Sequence, residues 1–141
     1  MQTKPILSRD DSLSVVKAAC EEATRNGWAV SIAVVDDGGH PLALERLDGC
    51  APIGAYIAIE KARSAALGRR ETRQYEEMIN GGRTAFLSAP LLNGMLEGGI
   101  PLTVNGTVIG AIGVSGVKPD QDAQVARAGC EAIDSLRSLF R

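Results

Sequence analysis

Two hydrophobic periods alternate along the chain and predict an alternation of helices and strands. From Leu13 to Ala23, apolar residues recur every three or four positions, which is typical of an amphipathic helix. Ser8 and Asp11 fit a capping box at its start, and residues 26–27 (Asn-Gly) supply a left-handed stop. From Trp28 to Asp36 the period falls to two and both faces are mostly apolar, which predicts an inner strand.

A turn, a second strand and a long helix are predicted next. Residues 37–40 (Asp-Gly-Gly-His) have the composition of a turn, and the stretch from Pro41 to Leu47 predicts the returning strand of a hairpin. Residues 53–69 are rich in alanine and follow Pro52, which suits the start of a helix. We therefore expect a helix whose small side chains allow close packing.

Shorter elements are predicted between this helix and the end of the chain. Thr72 is expected to cap a helix that residues 80–82 (Asn-Gly-Gly) end. Residues 83–99 predict a loop with about one helical turn. Asp120 or Asp122 is expected to cap a last helix, whose apolar stripe comprises Val125, Gly129, Ala132, Ile133, Leu136 and Phe140.

The clearest local signal is Asn105-Gly106 between two β-rich runs, which predicts a type I′ hairpin. In that hairpin Val104 faces Thr107, and Leu102 faces Ile109. Hairpins separated by helical segments imply an antiparallel sheet flanked by helices. The predicted fold class is therefore α+β, formed as one domain over residues 1–141.

Composition and charge exclude several classes of function and leave the predicted fold unchanged. The formal net charge is −2 and there is no basic run, so the chain lacks the electrostatic footprint of nucleic-acid binding. The first residues lack a signal-peptide core, and no apolar run is long enough to span a bilayer. We expect a cytoplasmic protein without a membrane partner. Its three cysteines form no C-x-x-C pair, so neither a disulfide framework nor a zinc cluster is predicted.

Lys61 places a charge where the long helix is predicted to pack most closely. On a helical wheel it shares a stripe with Gly54, Ala58 and Ala65. Lysine is almost never buried without a partner, so a sequestered amine at this position would suit proton transfer or anion binding. The alternative is that its long stem carries the ammonium out to solvent.

His40 is the only histidine, and it lies in the first turn beside two aspartates. Its charge changes near neutral pH, which suits an acid, a base or a metal ligand. We take His40 and Asp36 as candidates for moving a proton and Asp37 as a candidate ligand contact. The alternative is an exposed turn histidine with no role.

Arg46 and a glycine pair complete the candidate site. Arg46, on the second strand, could hold a carboxylate through two parallel hydrogen bonds, or else form a surface ion pair. Gly98 and Gly99 are expected to wall a pocket together with the first hairpin and the Lys61 helix.

Five segments, in order, resemble the GlcG/HbpS-like family, also called the haem-degrading domain family and found as the C-terminal domain of PduO-type proteins. The matching segments are Val34–Gly49, Ile59–Ala66, Gly98–Leu102, Gly110–Gly116 and Asp122–Gly129. The resemblance implies a profilin-like sandwich that assembles into dimers and often octamers. It also implies roles that range from haem binding to enzymes acting on small unsaturated acids.

Two departures from the family bear on haem. Exported members carry a signal that this chain lacks, and the haem-ligating histidine on the first helix of PduO-type domains has no counterpart here. Haem would therefore require His40 or a non-histidine ligand.

Three hypotheses follow. The first is an oligomeric protein that binds haem or a small organic acid and is associated with organic-acid or aromatic catabolism. The second is an isomerase, hydrolase or dehalogenase acting on a small unsaturated or hydroxy carboxylic acid, with Lys61 or Arg46 holding the carboxylate and His40 or Asp36 moving a proton. The third is a purely structural assembly partner.

Overall fold

The computed structural model describes residues 1–139, in which helices cover both faces of one antiparallel sheet. The elements are α1 (Arg9–Arg25), β1 (Ser31–Asp36), β2 (Pro41–Arg46), α2 (Ile53–Gly68), α3 (Thr72–Asn80), a short 3-10 helix (Thr84–Ser88), β3 (Gly99–Val104), β4 (Thr107–Ser115) and α4 (Pro119–Leu139). The strand order is β2-β1-β4-β3, so the two hairpins meet where β1 pairs with β4. The predicted α+β sandwich of hairpins flanked by helices is confirmed.

The two faces of the sheet are packed with side chains of different size. Helices α1 and α4 lie together on one face, and α2 lies across the other. The face under α1 and α4 buries branched aliphatics such as Ile32, Val34 and Ile112. The face under α2 is built almost entirely from alanine, with Ala33, Val35, Ala58, Ala62, Ala65, Ala66 and Ala111.

Helix α2 lies so close to the sheet that backbone touches backbone. A Cβ at Gly113 would lie 2.1 Å from the carbonyl oxygen of Ala58, and one at Gly99 would lie 2.4 Å from that of Lys61. On the other side of the helix, a Cβ at Gly94 would lie 2.3 Å from the Lys61 amide nitrogen. A side chain is therefore excluded at these three close approaches to the helix, which glycine alone satisfies.

Several local predictions are confirmed. Ser8 and Asp11 form the reciprocal capping box of α1. Asn105 and Gly106 have φ angles of 50° and 78°, as a type I′ turn requires. The predicted pairing of Val104 with Thr107 is also present.

The rest of the predicted hairpin register is wrong, as is one position of the α1 stripe. Leu102 pairs with Gly110 and not with Ile109, because the register shifts between Leu102 and Thr103. A bulge adds an unpaired residue, which the alternation of residue types does not reveal. Leu13 is 42% exposed, and the buried face of α1 runs instead through Ser12, Val15, Val16, Ala19 and Ala23.

The starts of two helices also differ from prediction. Glu71 is the N-cap of α3, and Thr72 is its first residue, with a hydroxyl that bonds to a distant loop. Helix α4 begins at Pro119, so Asp120 and Asp122 lie in its first turn. A polar side chain in a first turn is thus not always a cap, because it can turn inward to another element. Phe140, predicted on the α4 stripe, lies outside the described residues.

Candidate functional site

His40 and Asp36 form a hydrogen-bonded pair in the turn between β1 and β2. The Asp36 Oδ1 atom accepts from the backbone nitrogens of Gly38 at 2.9 Å and His40 at 3.0 Å. It also lies 3.0 Å from His40 Nδ1. Burial acts to raise the pKa of Asp36, but these hydrogen bonds outweigh it and hold the pKa below its ordinary value. The carboxylate thus orients the ring and leaves Nε2 for exchange with solvent or a substrate.

Asp37, next in the turn, is occupied by cations of the same chain. Its carboxylate pairs with Lys4 and lies 3.9 Å from Arg69 Nη2, while Arg69 Nη1 donates to its carbonyl oxygen at 2.6 Å. The hydrogen bond from Lys4 is the main reason that the pKa of Asp37 is lowered. These contacts tie the turn to the N-terminal segment and to the end of α2. The ligand role predicted for Asp37 would compete with them.

The burial predicted for Lys61 is confirmed, and its partner is an aspartate from α4. Lys61 is 3% exposed, and its Nζ atom lies 2.9 Å from the Val114 carbonyl oxygen and 3.1 Å from Asp122 Oδ2. The other oxygen of Asp122 accepts from the Val117 amide at 3.1 Å. Burial raises the pKa of Asp122, although Lys61 acts in the opposite direction. This buried ion pair joins α2, the end of β4 and α4.

Gly98 and Gly99 make room for Lys61. A Cβ at Gly98 would lie 2.9 Å from Lys61 Nζ and 2.7 Å from the Val114 carbonyl oxygen. Gly98 also has a φ of +128°, which a residue with a side chain rarely adopts. Both glycines are buried against the helix that carries Lys61. This packing accounts for them, and the ligand contact predicted for them stays a prediction.

Lys61 and His40 belong to opposite ends of the sheet. Val114, whose carbonyl holds Lys61, pairs with Ile32, whereas Asp36 pairs with Gly110. Asp36 lies four residues beyond Ile32 along β1, a separation of about 13 Å at roughly 3.3 Å per residue. Arg46 pairs with Ser31, so it is exposed at the Lys61 end. One chain therefore does not bring the predicted site residues together.

A cavity that the sequence reasoning did not identify lies beside α3. Its volume is about 380 Å³, and it is lined by Glu76, Ile79, Asn80, Leu87, Leu92, Asn93, Met95 and Leu96. A signal was present in the sequence, since residues 83–99 were predicted as loop yet contain several leucines and a methionine. Leu87, Leu92 and Leu96 of this loop line the cavity, whereas Leu91 is exposed.

Three side chains hold the loop that walls this cavity. Ser64 accepts from the Gly94 amide at 3.0 Å, and Thr72 accepts from the Gly99 amide at 2.8 Å. Glu76 Oε2 accepts from the Glu97 amide at 2.9 Å. The Val114 amide of β4 also donates to the Gly98 carbonyl oxygen at 3.0 Å, so bonds to α2, α3 and β4 together define the path of the loop.

The described part of the chain shows neither a metal cluster nor a membrane-spanning helix. Within residues 1–139, no group of three or more His, Cys, Asp or Glu side chains is placed to hold a metal ion. None of the helices in that part of the chain combines the length and apolarity needed to cross a membrane.

Comparison with known proteins gives a consistent result in sequence and in structure. The family model described as haem degrading protein HbpS-like matches residues 7–131. Protein GlcG of Escherichia coli strain K12 is 64% identical over 115 residues, which are 82% of this chain and 85% of that protein.

Two solved structures share the fold over nearly the whole chain. A double mutant of Streptomyces reticuli HbpS is 32% identical, with a TM-score of 0.83 over 93% of this chain and 89% of that chain. PduOC in complex with haem is 25% identical, with a TM-score of 0.82 over 91% of this chain and 95% of that chain.

Proposed function

Because the chain belongs to the HbpS-like family of haem degrading proteins, we propose that it is a self-associating protein that binds haem or a small organic molecule in the cavity beside α3. The cavity is the observation that carries this proposal, since small-molecule sites are concave, mostly apolar and have few polar groups. We place the protein in the cytoplasm, in organic-acid or aromatic catabolism.

The cavity residues fit the two demands that haem makes on a site. Five of the eight lining residues are apolar, which suits a porphyrin face. Met95 is 8% exposed, and a thioether is among the side chains that ligate haem iron. No histidine or cysteine lines this cavity, so Met95 would hold the iron. Haem bound there would supply redox or oxygen chemistry.

A haem titration followed by absorbance tests the proposal. We expect a shifted Soret band that saturates near one haem per chain. Met95→Leu keeps the apolar volume but removes the sulfur, so it should alter the band position and weaken binding. Met78→Leu on the same helix as Glu76 is the matched control, because Met78 does not line the cavity. An unchanged Soret band with wild-type protein would remove haem, and equal spectra for the two variants would remove Met95 as ligand.

Self-association is supported by apolar side chains exposed at one edge of the sheet. Leu42 and Leu44 on the edge strand β2 are 38% and 47% exposed. Leu44 pairs with Ala33, so it lies on the face that α2 covers, where Ile53 and Tyr56 are 60% and 71% exposed. An unpaired edge with apolar neighbours is a common site of association. We propose a dimer or octamer.

Light scattering at micromolar concentration checks this. The expected mass is a multiple of the 14.8 kDa chain. Leu44→Glu should lower that mass, whereas Leu91→Glu should leave it unchanged, because Leu91 is exposed in the loop that leads into β3, the edge strand opposite β2. A monomeric wild-type mass would contradict the proposal.

A second candidate function is favoured by the His40–Asp36 pair. A histidine whose Nδ1 atom is held by a carboxylate has the arrangement of a general base. We propose, as the alternative, an enzyme that isomerises, hydrolyses or dehalogenates a small unsaturated or hydroxy acid. Arg46 would hold the carboxylate, and because it lies at the other end of the hairpin, His40 would come from a neighbouring copy.

Turnover of muconate- and glycolate-type acids tests this alternative. His40→Gln and Asp36→Asn should each reduce any measured rate by at least about a hundredfold, the usual contribution of a general base. Asp10→Asn, on an exposed helix start, serves as the control. A zero wild-type rate across the panel, or equal rates in all four proteins, would end the enzyme hypothesis.

A further inference from the structure

Glu76 is an unpaired acid inside the cavity. One carboxylate oxygen, Oε2, accepts from the Glu97 amide at 2.9 Å, which leaves Oε1 for another donor. Arg73, one turn earlier on α3, pairs instead with Glu71 at 3.8 Å and Glu77 at 3.5 Å. Among the side chains of residues 1–136, which the structure describes, no cation pairs with Glu76.

The other lining groups do not offset this charge. Asn80 and Asn93 are the remaining polar residues of the lining, and none of the eight residues is basic. A carboxylate entering the cavity would meet Glu76 with no cation to compensate, and like charges in a partly desolvated site repel strongly. A ligand with an N–H donor would instead form a charge-assisted hydrogen bond.

From this arrangement we infer that the cavity selects an amphipathic molecule with an apolar body and an ammonium or other N–H head, which Glu76 binds, and that it rejects the matching carboxylate. The inference rests on the proposed function, because it takes the cavity to be the ligand site. Haem would have to enter by an apolar edge, with its carboxylates left outside. A small organic acid would not be the ligand of this cavity.

The same carboxylate connects the ligand to the loop. Glu76 binds the Glu97 amide next to Leu96, which itself lines the cavity. A ligand that donates a hydrogen bond to Glu76 Oε1 therefore alters the electron density of the carboxylate, and with it the hydrogen bond from the Glu97 amide to Oε2. The backbone resonance of Glu97 is consequently a local reporter of binding at Glu76.

Three probes of one shape test the selectivity: benzylammonium, benzyl alcohol and benzoate. Each is titrated into the isotope-labelled full chain and followed by amide chemical shifts at pH 7. We expect benzylammonium to bind at least about tenfold more tightly than benzoate, with the alcohol between them. The shifts should include the amides of Glu97 and Leu96.

Two single-charge variants separate Glu76 from the general acidity of α3. Glu76→Gln keeps an acceptor for the Glu97 amide but removes the charge, so the preference should fall to within about threefold. Glu77→Gln removes the neighbouring charge, which does not line the cavity, and should leave the preference intact.

Three results would overturn the inference: benzoate binding as tightly as benzylammonium, the same preference in Glu76→Gln as in wild type, or no shift of the cavity amides with any probe. The haem titration distinguishes these from failure of the proposed function. A shifted Soret band together with tight benzoate binding would retain the ligand site and reject only its selectivity.

Discussion

The two faces of the sheet are packed in opposite ways. Under α1 and α4, branched side chains such as Ile32 and Ile112 fill the space between helix and strand. Under α2 that space is absent, because Gly113 lies directly against the backbone of Ala58. On the first face, side chains separate the helices from the sheet, so the packing can adjust when a side chain changes. On the second face, the backbone of α2 touches the backbone of the sheet, so a larger side chain would have to displace the whole helix.

Lys61 and the cavity beside α3 lie in differently packed surroundings. On the alanine face, Gly98 lies directly against the Lys61 ammonium. The cavity beside α3 lies next to the loop that leads into β3, which is held to the helices by Ser64, Thr72 and Glu76. Close packing and ligand space thus belong to different parts of the chain.

The largest expected effect comes from adding one methyl group to the closely packed face. In Gly113→Ala the new Cβ would lie 2.1 Å from the Ala58 carbonyl oxygen and 2.5 Å from the Ala62 amide nitrogen. Both are backbone atoms, so α2 would have to leave the sheet. We expect a loss of more than about 4 kcal/mol in the free energy of unfolding, measured by urea denaturation.

Gly129→Ala on the opposite face is the matched control. Its Cβ would lie 2.5 Å from Ile112 Cδ1 and 3.1 Å from Val15 Cγ1, which are ends of side chains, and its nearest backbone atom would be the Val15 carbonyl oxygen at 3.2 Å. Repacking these side chains should lower the free energy of unfolding by about 1–3 kcal/mol. The higher helix propensity of alanine should raise it by about 1 kcal/mol. Equal losses of stability in the two variants would show that the two faces do not differ in how tightly backbone packs against backbone.

The next largest effect concerns the ion pair at the end of the closely packed face. Lys61→Met would leave Asp122 buried without its cation, and losing one partner of a buried pair typically costs about 3–5 kcal/mol. We expect a loss of about 3 kcal/mol at pH 7, because Asp122 keeps its bond from Val117. The measurement is again urea unfolding.

The pH dependence of that loss identifies Asp122 as its cause. A carboxyl whose folded pKa is raised binds its proton more tightly in the folded state, so its contribution is present at low pH and is lost as pH rises through the folded pKa. Without Lys61 the pKa rises further, so the deficit of Lys61→Met should be smaller at pH 4.5 than at pH 7. Measured against Asp122→Asn, which already lacks the titrating carboxyl, the deficit of Lys61→Met/Asp122→Asn should not vary with pH. A deficit that does vary in the double variant would point to another group.

The sequence predicted regular elements well because their signals are local. The capping box of Ser8 and the turn at Asn105 each depend on a few adjacent residues, and both are present. The bulge after Leu102 is not local, because it is set by how β3 meets β4. Residue alternation alone therefore gave one correct pair and one wrong pair in that hairpin.

The candidate site was predicted less completely for the same reason. Burial of Lys61 followed from its own helix, but its partner lies 61 residues away and was assigned to a helix cap. Lys61 and His40 are both chemically notable in the sequence, but the register of β1 separates them. Glu76 carries no signal in the sequence, because an acid on an amphipathic helix is ordinary until the neighbouring loop is placed.

The smallest expected effect concerns the reactivity of two thiols on the sheet face that α1 and α4 cover. Cys20 and Cys130 pack against that core, and burial is the main reason that the pKa of each is raised to about 12. At pH 8 each thiolate fraction would be about a thousandfold below that of an unfolded thiol with the ordinary pKa of 9.0.

Iodoacetamide labelling with mass spectrometry should therefore be about a thousandfold slower for native Cys20 and Cys130 than for the same residues in urea. Glu45 adds to the raised pKa of Cys20 but not to that of Cys130. Glu45→Gln should consequently speed labelling of Cys20 and leave Cys130 unchanged, without a measurable loss of stability. Native labelling of Cys20 within about tenfold of its rate in urea would show that the core beneath α1 does not desolvate it.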